Sequence, residues 1–277
     1  MATQAEQALE EGNVVGALKE LSEQIRRDPS NAELRTFLFQ LLSVAGQWDR
    51  ALTQLNVAGD LDPATLAMVQ IYRDALSCEA LRAEVFAGRR TPLVFGEPEE
   101  WVALLLEALR VQADGRANES RGLRDRAFDA APVTPGRIDG TPFAWIADAD
   151  MRLGPVLEVV LNGRYYWVPF HRIARIVTEE PIDLRDFVWT PAQFTWANGG
   201  QAVGLIPTRY AGSETSDDPK VAMARKTEWV EQGEGFFVGV GQRMLATDIG
   251  ENSLLDVRQL EIGDLGETES GEEGART

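Results

Sequence analysis

The chain has 277 residues, 44 Asp and Glu against 27 Lys and Arg, a formal net charge of −17, 44% hydrophobic residues and one cysteine. This composition fits one large or two ordinary globular domains, and so acidic a surface disfavours nucleic acid and anionic membranes, both of which bind through Lys and Arg. The lone Cys78 excludes an intrachain disulfide; with no basic leader ahead of an apolar run, and no stretch near the ~20 apolar residues of a membrane span, the expected location is the cytoplasm.

The N-terminal part contains a repeat. Gly12, Ala17, Leu18, Leu21, Asp28 and Pro29 recur at Gly46, Ala51, Leu52, Leu55, Asp62 and Pro63, each offset by 34 residues, the period of the tetratricopeptide (TPR) helical hairpin. The glycines suit the tight turn between helices and the alanines allow close packing. Each Asp-Pro closes one unit and opens the next, because Pro fits the first turn of a helix. Val14, Leu18, Leu21 and Ile25 form one apolar stripe; Leu34, Phe37, Leu38, Leu41 and Leu42 form another at helical spacing. The pattern lapses at Ala80. Two repeats bury too little surface alone, so neighbouring helices must complete the stack. Helices are expected from Pro63 to about Gly88, from Pro98 with Glu99 and Glu100 in the first turn, and from about Ala117 to Ala130. The arginines between Arg116 and Arg126 alternate with Glu119 and Asp125 and read as a solvated helix face. Cys78 lies among Ala75, Leu76 and Leu81, where it reads as a buried small hydrophobe.

Pro132, Pro135, Gly136, Gly140 and Pro142 mark a change of texture. The expected division is a TPR-like α-helical domain at 1–131, a mainly β domain at 132–265 and a disordered acidic tail at 266–277, an α+β chain overall. Asn162-Gly163 between VLEVVL and RYYWV signals a hairpin with a type I′ turn. Further strands are expected near Ile173–Thr178, Phe187–Thr190, Gln201–Ile206, Phe236–Val240 and Arg243–Asp248, a spacing that suggests a barrel or strongly bent sheet.

Catalytic signatures are sparse. One histidine, His171, and one cysteine rule out the common zinc clusters and His-dependent nucleophile pairs, leaving His171 a structural role. There is no Walker A sequence, and Gly239-Val-Gly241 lacks the third glycine of the dinucleotide fingerprint. Asp148 and Asp150, with Glu158 eight residues on, have the residue types for a Mg²⁺ or Mn²⁺ site if both aspartates face one side of a strand. The alternative is that they cap turns and pair with Arg152 or other arginines. Tyr165, Tyr166, Trp167 and Phe170 read either as core or as an exposed aromatic surface. Arg209 leaves a strand in Pro207-Thr-Arg209-Tyr210 and is expected to pair with a carboxylate.

Four ordered blocks, AWIADADMRLGPVLEVVLNGRYYWVPF (144–170), DLRDFVW (183–189), LIPTRYAGSE (205–214) and ARKTEW (224–229), resemble the ImpE family, also called TagJ or SciE, accessory proteins of the virulence-associated type VI secretion systems of bacteria. The resemblance implies a non-enzymatic, cofactor-free adaptor. It further implies that such an adaptor binds the N-terminal helix of the small sheath subunit, TssB, and is linked through it to the AAA+ ATPase ClpV. Within the blocks Trp145, Asp148, Asp150, Arg152, Glu158, Trp167, Arg185, Trp189, Arg209, Tyr210, Arg225 and Trp229 stand out without an assigned role. Stacked helical hairpins form a groove suited to an amphipathic helix, and the expected contact lies near Phe37, Leu41 and Trp48. The competing possibilities are a metal-dependent enzyme using Asp148, Asp150 and Glu158, and a TPR-like scaffold for another peptide.

Overall fold

The computed structural model describes residues 4–263, so the expected acidic tail lies outside the described residues. The first part is helical: α1 (Gln4–Glu10), α2 (Val14–Arg27), α3 (Ala32–Val44), α4 (Trp48–Leu61) and α5 (Leu66–Phe86). A two-residue strand, β1 (Leu93–Val94), precedes α6 (Glu100–Ala113) and α7 (Ala117–Ala130). The repeat letters have the roles their chemistry suggests. Gly12 and Gly46 turn with φ of 78° and 65°, and Ala17 and Ala51 are fully buried where helices touch. The Asn13 and Asn31 side chains cap α2 and α3 by accepting the Gly16 and Leu34 amides.

The remainder is mostly sheet: β2 (Gly136–Ile138), β3 (Thr141–Phe143), β4 (Ile146–Asp148), β5 (Val156–Leu161), β6 (Arg164–Pro169), β7 (Ile173–Thr178), β8 (Trp189–Trp196) and β9 (Gln201–Pro207). A one-turn helix, α8 (Pro219–Ala222), leads to β10 (Thr227–Glu231), β11 (Phe237–Gly241), β12 (Met244–Thr247), β13 (Gly250–Ser253) and β14 (Gln259–Ile262). Among the described residues nine strands form one sheet in the order β1-β6-β5-β9-β8-β7-β14-β2-β3, with β10-β11 and β13-β12-β4 as smaller sheets. The large sheet has two ends, β1 and β3, and only its β1–β6 pairing is parallel. The β5–β6 hairpin turns at Asn162 and Gly163 with φ of 48° and 72°, as the Asn-Gly pair predicts.

β5 explains how the halves join. All six of its residues are buried, and they alternate between two cores. Val156 and Val160 join the core that includes α2 to α6, along with Tyr165, Trp167, Trp189 and Leu205. Leu157, Val159 and Leu161 face a second core with Val168, Phe194, Ile206 and Leu260. The alternation places Glu158 on the helix-facing side. The sheet therefore supplies the layer that two TPR-like repeats lack.

Two boundaries differ from expectation. The strand expected at Phe187–Thr190 starts at Trp189 and continues through Pro191 to Trp196. Proline is tolerated there because the β7 pairing ends at Thr178 opposite Ala192, one residue short of it. The helix expected from Pro98 begins at Glu100, because the Glu99 backbone is extended (φ −115°, ψ 143°); its carboxylate accepts from the Trp101 indole (3.0 Å) and Arg172 (2.8 Å). His171 meets the same carboxylate at 3.0 Å, a structural contact. Tyr165, Trp167 and Phe170 are core; Tyr166 is half-buried. Arg124 departs from the solvated arginine face: it is buried, lies 3.7 Å over the Phe236 ring and donates to the Ser120 hydroxyl. Burial pushes the Cys78 thiol up to about 12, so it packs as a hydrophobe and is not a ready nucleophile.

Candidate functional site

The distinctive residues of the β part converge beneath α5. Glu158 on β5 is fully buried and receives the Arg82 guanidinium of α5 at 2.6 and 3.0 Å. Arg243, just before β12, reaches the other side of Glu158 and also pairs with Asp148 at the end of β4. The Tyr165 hydroxyl donates to Glu158 and accepts the Trp167 indole N–H at 2.9 Å. Glu79 lies one turn before Arg82, 3.4 Å from it, and accepts the Trp189 indole N–H at 2.8 Å.

Burial alone would raise the pKa of Glu158, but Arg82 and Arg243 outweigh it and hold the carboxyl at about 2. Asp148 has the opposite balance. Burial dominates, the single Arg243 contact does not offset it, and the carboxyl is pushed up to about 7. Burial likewise raises Glu79, although Arg82 and the Trp189 N–H oppose the shift.

Asp150 lies past the end of β4 in a bend, so it does not share a strand face with Asp148. It accepts Arg152 at 2.9 Å through Nε and the Gly239 amide at 2.9 Å. The three carboxylates considered for Mg²⁺ thus each face a guanidinium and not an open coordination site. Among the described residues no group of three or more His, Cys, Asp and Glu side chains is placed to hold a metal ion. The chemistry of this cluster is that of a clamp between helices and sheet.

Arg209 corrects the sequence expectation. It is buried and, among the described residues, pairs with no carboxylate; it donates to the Val44 carbonyl (2.8 Å), the Ser43 carbonyl (3.2 Å) and the Ala222 carbonyl. Ser43 and Val44 end α3, whose last carbonyls lack intrahelical partners and carry the negative end of the helix dipole. Burial lowers the Arg209 pKa to about 10.

The other singled-out residues disperse. Trp189 packs 6.0 Å from Trp48 and 5.8 Å from Tyr72, ring centre to ring centre. Arg185 pairs with Asp183 and lies 4.9 Å from the Tyr72 ring centre. Tyr210 is buried against Trp229, itself 37% exposed. Trp145, 40% exposed, borders a shallow apolar cavity with Val133 and Met151. Arg225 lies exposed on the rim of a cavity of about 710 Å³ between α1, α3 and the segment 181–187. Of the three expected partner-contact residues, Phe37 lines that cavity, Leu41 is fully buried behind it and Trp48 packs on the sheet.

Sequence reasoning missed Glu79, Arg82 and Arg243. The first two carried a signal: a carboxylate and an arginine three apart on the face of α5 that also bears Tyr72, Leu76 and Val85. Such a pair on a buried face needs partners from elsewhere in the chain.

The sequence profile of the ImpE protein family matches residues 140–261, and a tetratricopeptide-repeat profile matches residues 8–71. A protein of Pseudomonas aeruginosa named type VI secretion system accessory component TagJ is 54% identical over 258 residues, covering 93% of this chain and 90% of its own. A crystal structure of a Vibrio parahaemolyticus protein superposes with a TM-score of 0.84 at 24% identity, covering 94% of this chain and 98% of that one, a likeness of fold.

Proposed function

This chain belongs to the ImpE family, and from that premise we propose that it is a non-enzymatic accessory component of a bacterial type VI secretion system, acting in the cytoplasm. The observation that carries this function is the 54% identity to a protein named for that role, across 93% of the chain. In finer terms the protein is an adaptor for the N-terminal helix of the small sheath subunit, TssB, and through it assists ClpV-linked turnover of the sheath. The helical unit, residues 1–131, supplies the groove for the partner; the β unit, residues 132–265, buttresses it and lines its far side through segment 181–187. Phe37 touches the partner directly, while Leu41 and Trp48 set the position of α3 and α4 from behind.

The energetics suit reversible binding. About four apolar anchors at ~1.5–3 kcal/mol each give roughly 6–12 kcal/mol. Association and ordering oppose this by at least ~4 kcal/mol, leaving at most roughly 2–8 kcal/mol, an affinity from weak to micromolar. The test is calorimetric titration with a peptide spanning the first helix of the cognate small sheath subunit. Saturable one-to-one binding, abolished when the peptide's apolar face is made polar, is the expected result. Absence of binding at high peptide concentration would remove the adaptor mechanism.

A further inference from the structure

We propose that one acidic trough crossing the junction of helices and sheet takes a cationic amphipathic helix, Lys- or Arg-rich on one face and aliphatic on the other. The proposal rests on the adaptor function for its biological partner, but on the trough's own chemistry for the class of ligand.

Three cavities, of about 710, 240 and 420 Å³, adjoin along this junction. The first lies between α1, α3 and segment 181–187, and shares Pro181 and Ile182 with the second. The second shares Tyr72, Pro191 and Val203 with the third, which ends at the Asn162-Gly163 hairpin. Aliphatic side chains stand exposed along this path: Ile182 at 86%, Val203 at 71% and Ile71 at 51%. A row of such residues on a highly charged chain marks a contact surface.

The borders of the trough fix the sign of the partner. Glu10 and Glu33 stand at the first cavity, Glu179 and Glu180 at the second, and Asp74 at the third. Of the two arginines in the lining, Arg185 is held by Asp183 against Tyr72, and Arg225 lies on the outer rim. The chain's charge of −17 adds a long-range field that speeds the approach of a cationic partner.

The backbone favours a helix over an extended peptide. The strands β8 and β9, which border the trough, lie inside the nine-stranded sheet and not at its ends, β1 and β3, so no end of the sheet is open there to a further strand. A helix satisfies its own backbone and presents an apolar stripe to Ile182 and Val203, with cations toward the carboxylates on either side.

The experiment uses the full chain and two labelled synthetic helices, one of Leu and Lys and one of Leu and Glu, titrated by fluorescence anisotropy at low and high salt. The variants are Glu33→Lys with Glu179→Lys, and Ile182→Ser with Val203→Ser; all four positions are exposed, and thermal melting checks the fold. Glu251→Lys on β13 is a charge control outside the trough. The Leu/Lys helix is expected to bind saturably and to weaken at least about tenfold with each trough double variant and at high salt, with little change for Glu251→Lys. The Leu/Glu helix is expected not to bind. No binding of the Leu/Lys helix, equal binding of both helices, or an equal effect of Glu251→Lys would overturn the proposal. The sheath-subunit helix is titrated in parallel. Its failure alongside Leu/Lys binding removes the adaptor function and leaves the trough. Sheath-helix binding that ignores the trough variants removes the trough and leaves the adaptor.

Discussion

The Arg82 guanidinium on α5 and the Glu158 carboxylate on β5 form a two-point ion pair, at 2.6 and 3.0 Å, across the junction of helices and sheet. Arg82 also donates at 2.6 Å to the carbonyl of Arg209, whose own side chain caps α3. Two guanidiniums thus join three segments far apart in sequence. A buried pair of this kind stabilises little relative to well-packed apolar residues, but removing one partner leaves an uncompensated buried charge.

Arg82→Ala is therefore expected to cost about 3–5 kcal/mol in urea unfolding monitored by tryptophan fluorescence. Arg82→Met with Glu158→Leu is expected to cost less than the two single changes together, since their side chains interact directly. Additive costs would show that the contact carries no coupling.

The pH dependence follows from two carboxylates of opposite sign. Glu158 is held below its ordinary 4.5, at about 2, so its stabilisation is full above 4.5 and is lost as pH falls through 2. Asp148 is raised from 3.8 to about 7, so its contribution is full below 3.8 and is lost as pH rises through 7. Between them, unfolding free energy is expected to decline from pH 5 to pH 7.5 in the native protein. Asp148→Asn is expected to flatten that decline, measured by urea titration at several pH values. An unchanged slope would assign the decline to other groups.

Trp189→Ala is expected to cost about 3–5 kcal/mol, because the indole is fully buried against Trp48 and Tyr72. It also strips the N–H donor from Glu79, a carboxylate already raised by burial. Trp189→Phe keeps most of the packing and isolates the lost hydrogen bond, expected at about 1–3 kcal/mol in the same assay.

Gly239→Ala tests a close approach. A Cβ there would sit 2.2 Å from Cε2 of Tyr210, a buried ring with little room to shift. Destabilisation of about 1–3 kcal/mol is expected from thermal melting. The glycines of Gly239-Val-Gly241 thus make room for the Tyr210 ring and for the Lys226 carbonyl, 1.9 Å from a Cβ at Gly241.

Local chemistry was legible in the sequence where neighbours decide the structure. The offset from Gly12 to Gly46 marked the helical hairpins, and Asn162-Gly163 marked the β5–β6 turn. Non-local pairing was not legible. Arg209 offered no hint that the end of α3 would bring carbonyls to it, so a carboxylate was the natural expectation. The spacing of Asp148 and Asp150 suggested a shared strand face, but β4 ends at Asp148 and the bend turns Asp150 toward Arg152. Short strands such as β1 and β2 escaped notice because pairing with distant strands, and not their own periodicity, makes them strands.

The contacts of Arg82 set an order on the making of the molecule. As the chain leaves the ribosome, α1 to α5 can stack early from local contacts. Glu79 and Arg82 then have only each other until Glu158, Trp189 and the Arg209 carbonyl have emerged, and Glu158 lacks its second guanidinium until Arg243 appears. The nascent helical half must wait, with a polar pair on its apolar face and Trp48 uncovered, for more than half of the chain to be synthesised. Throughout that interval the uncovered apolar face is open to chaperones and to proteolysis.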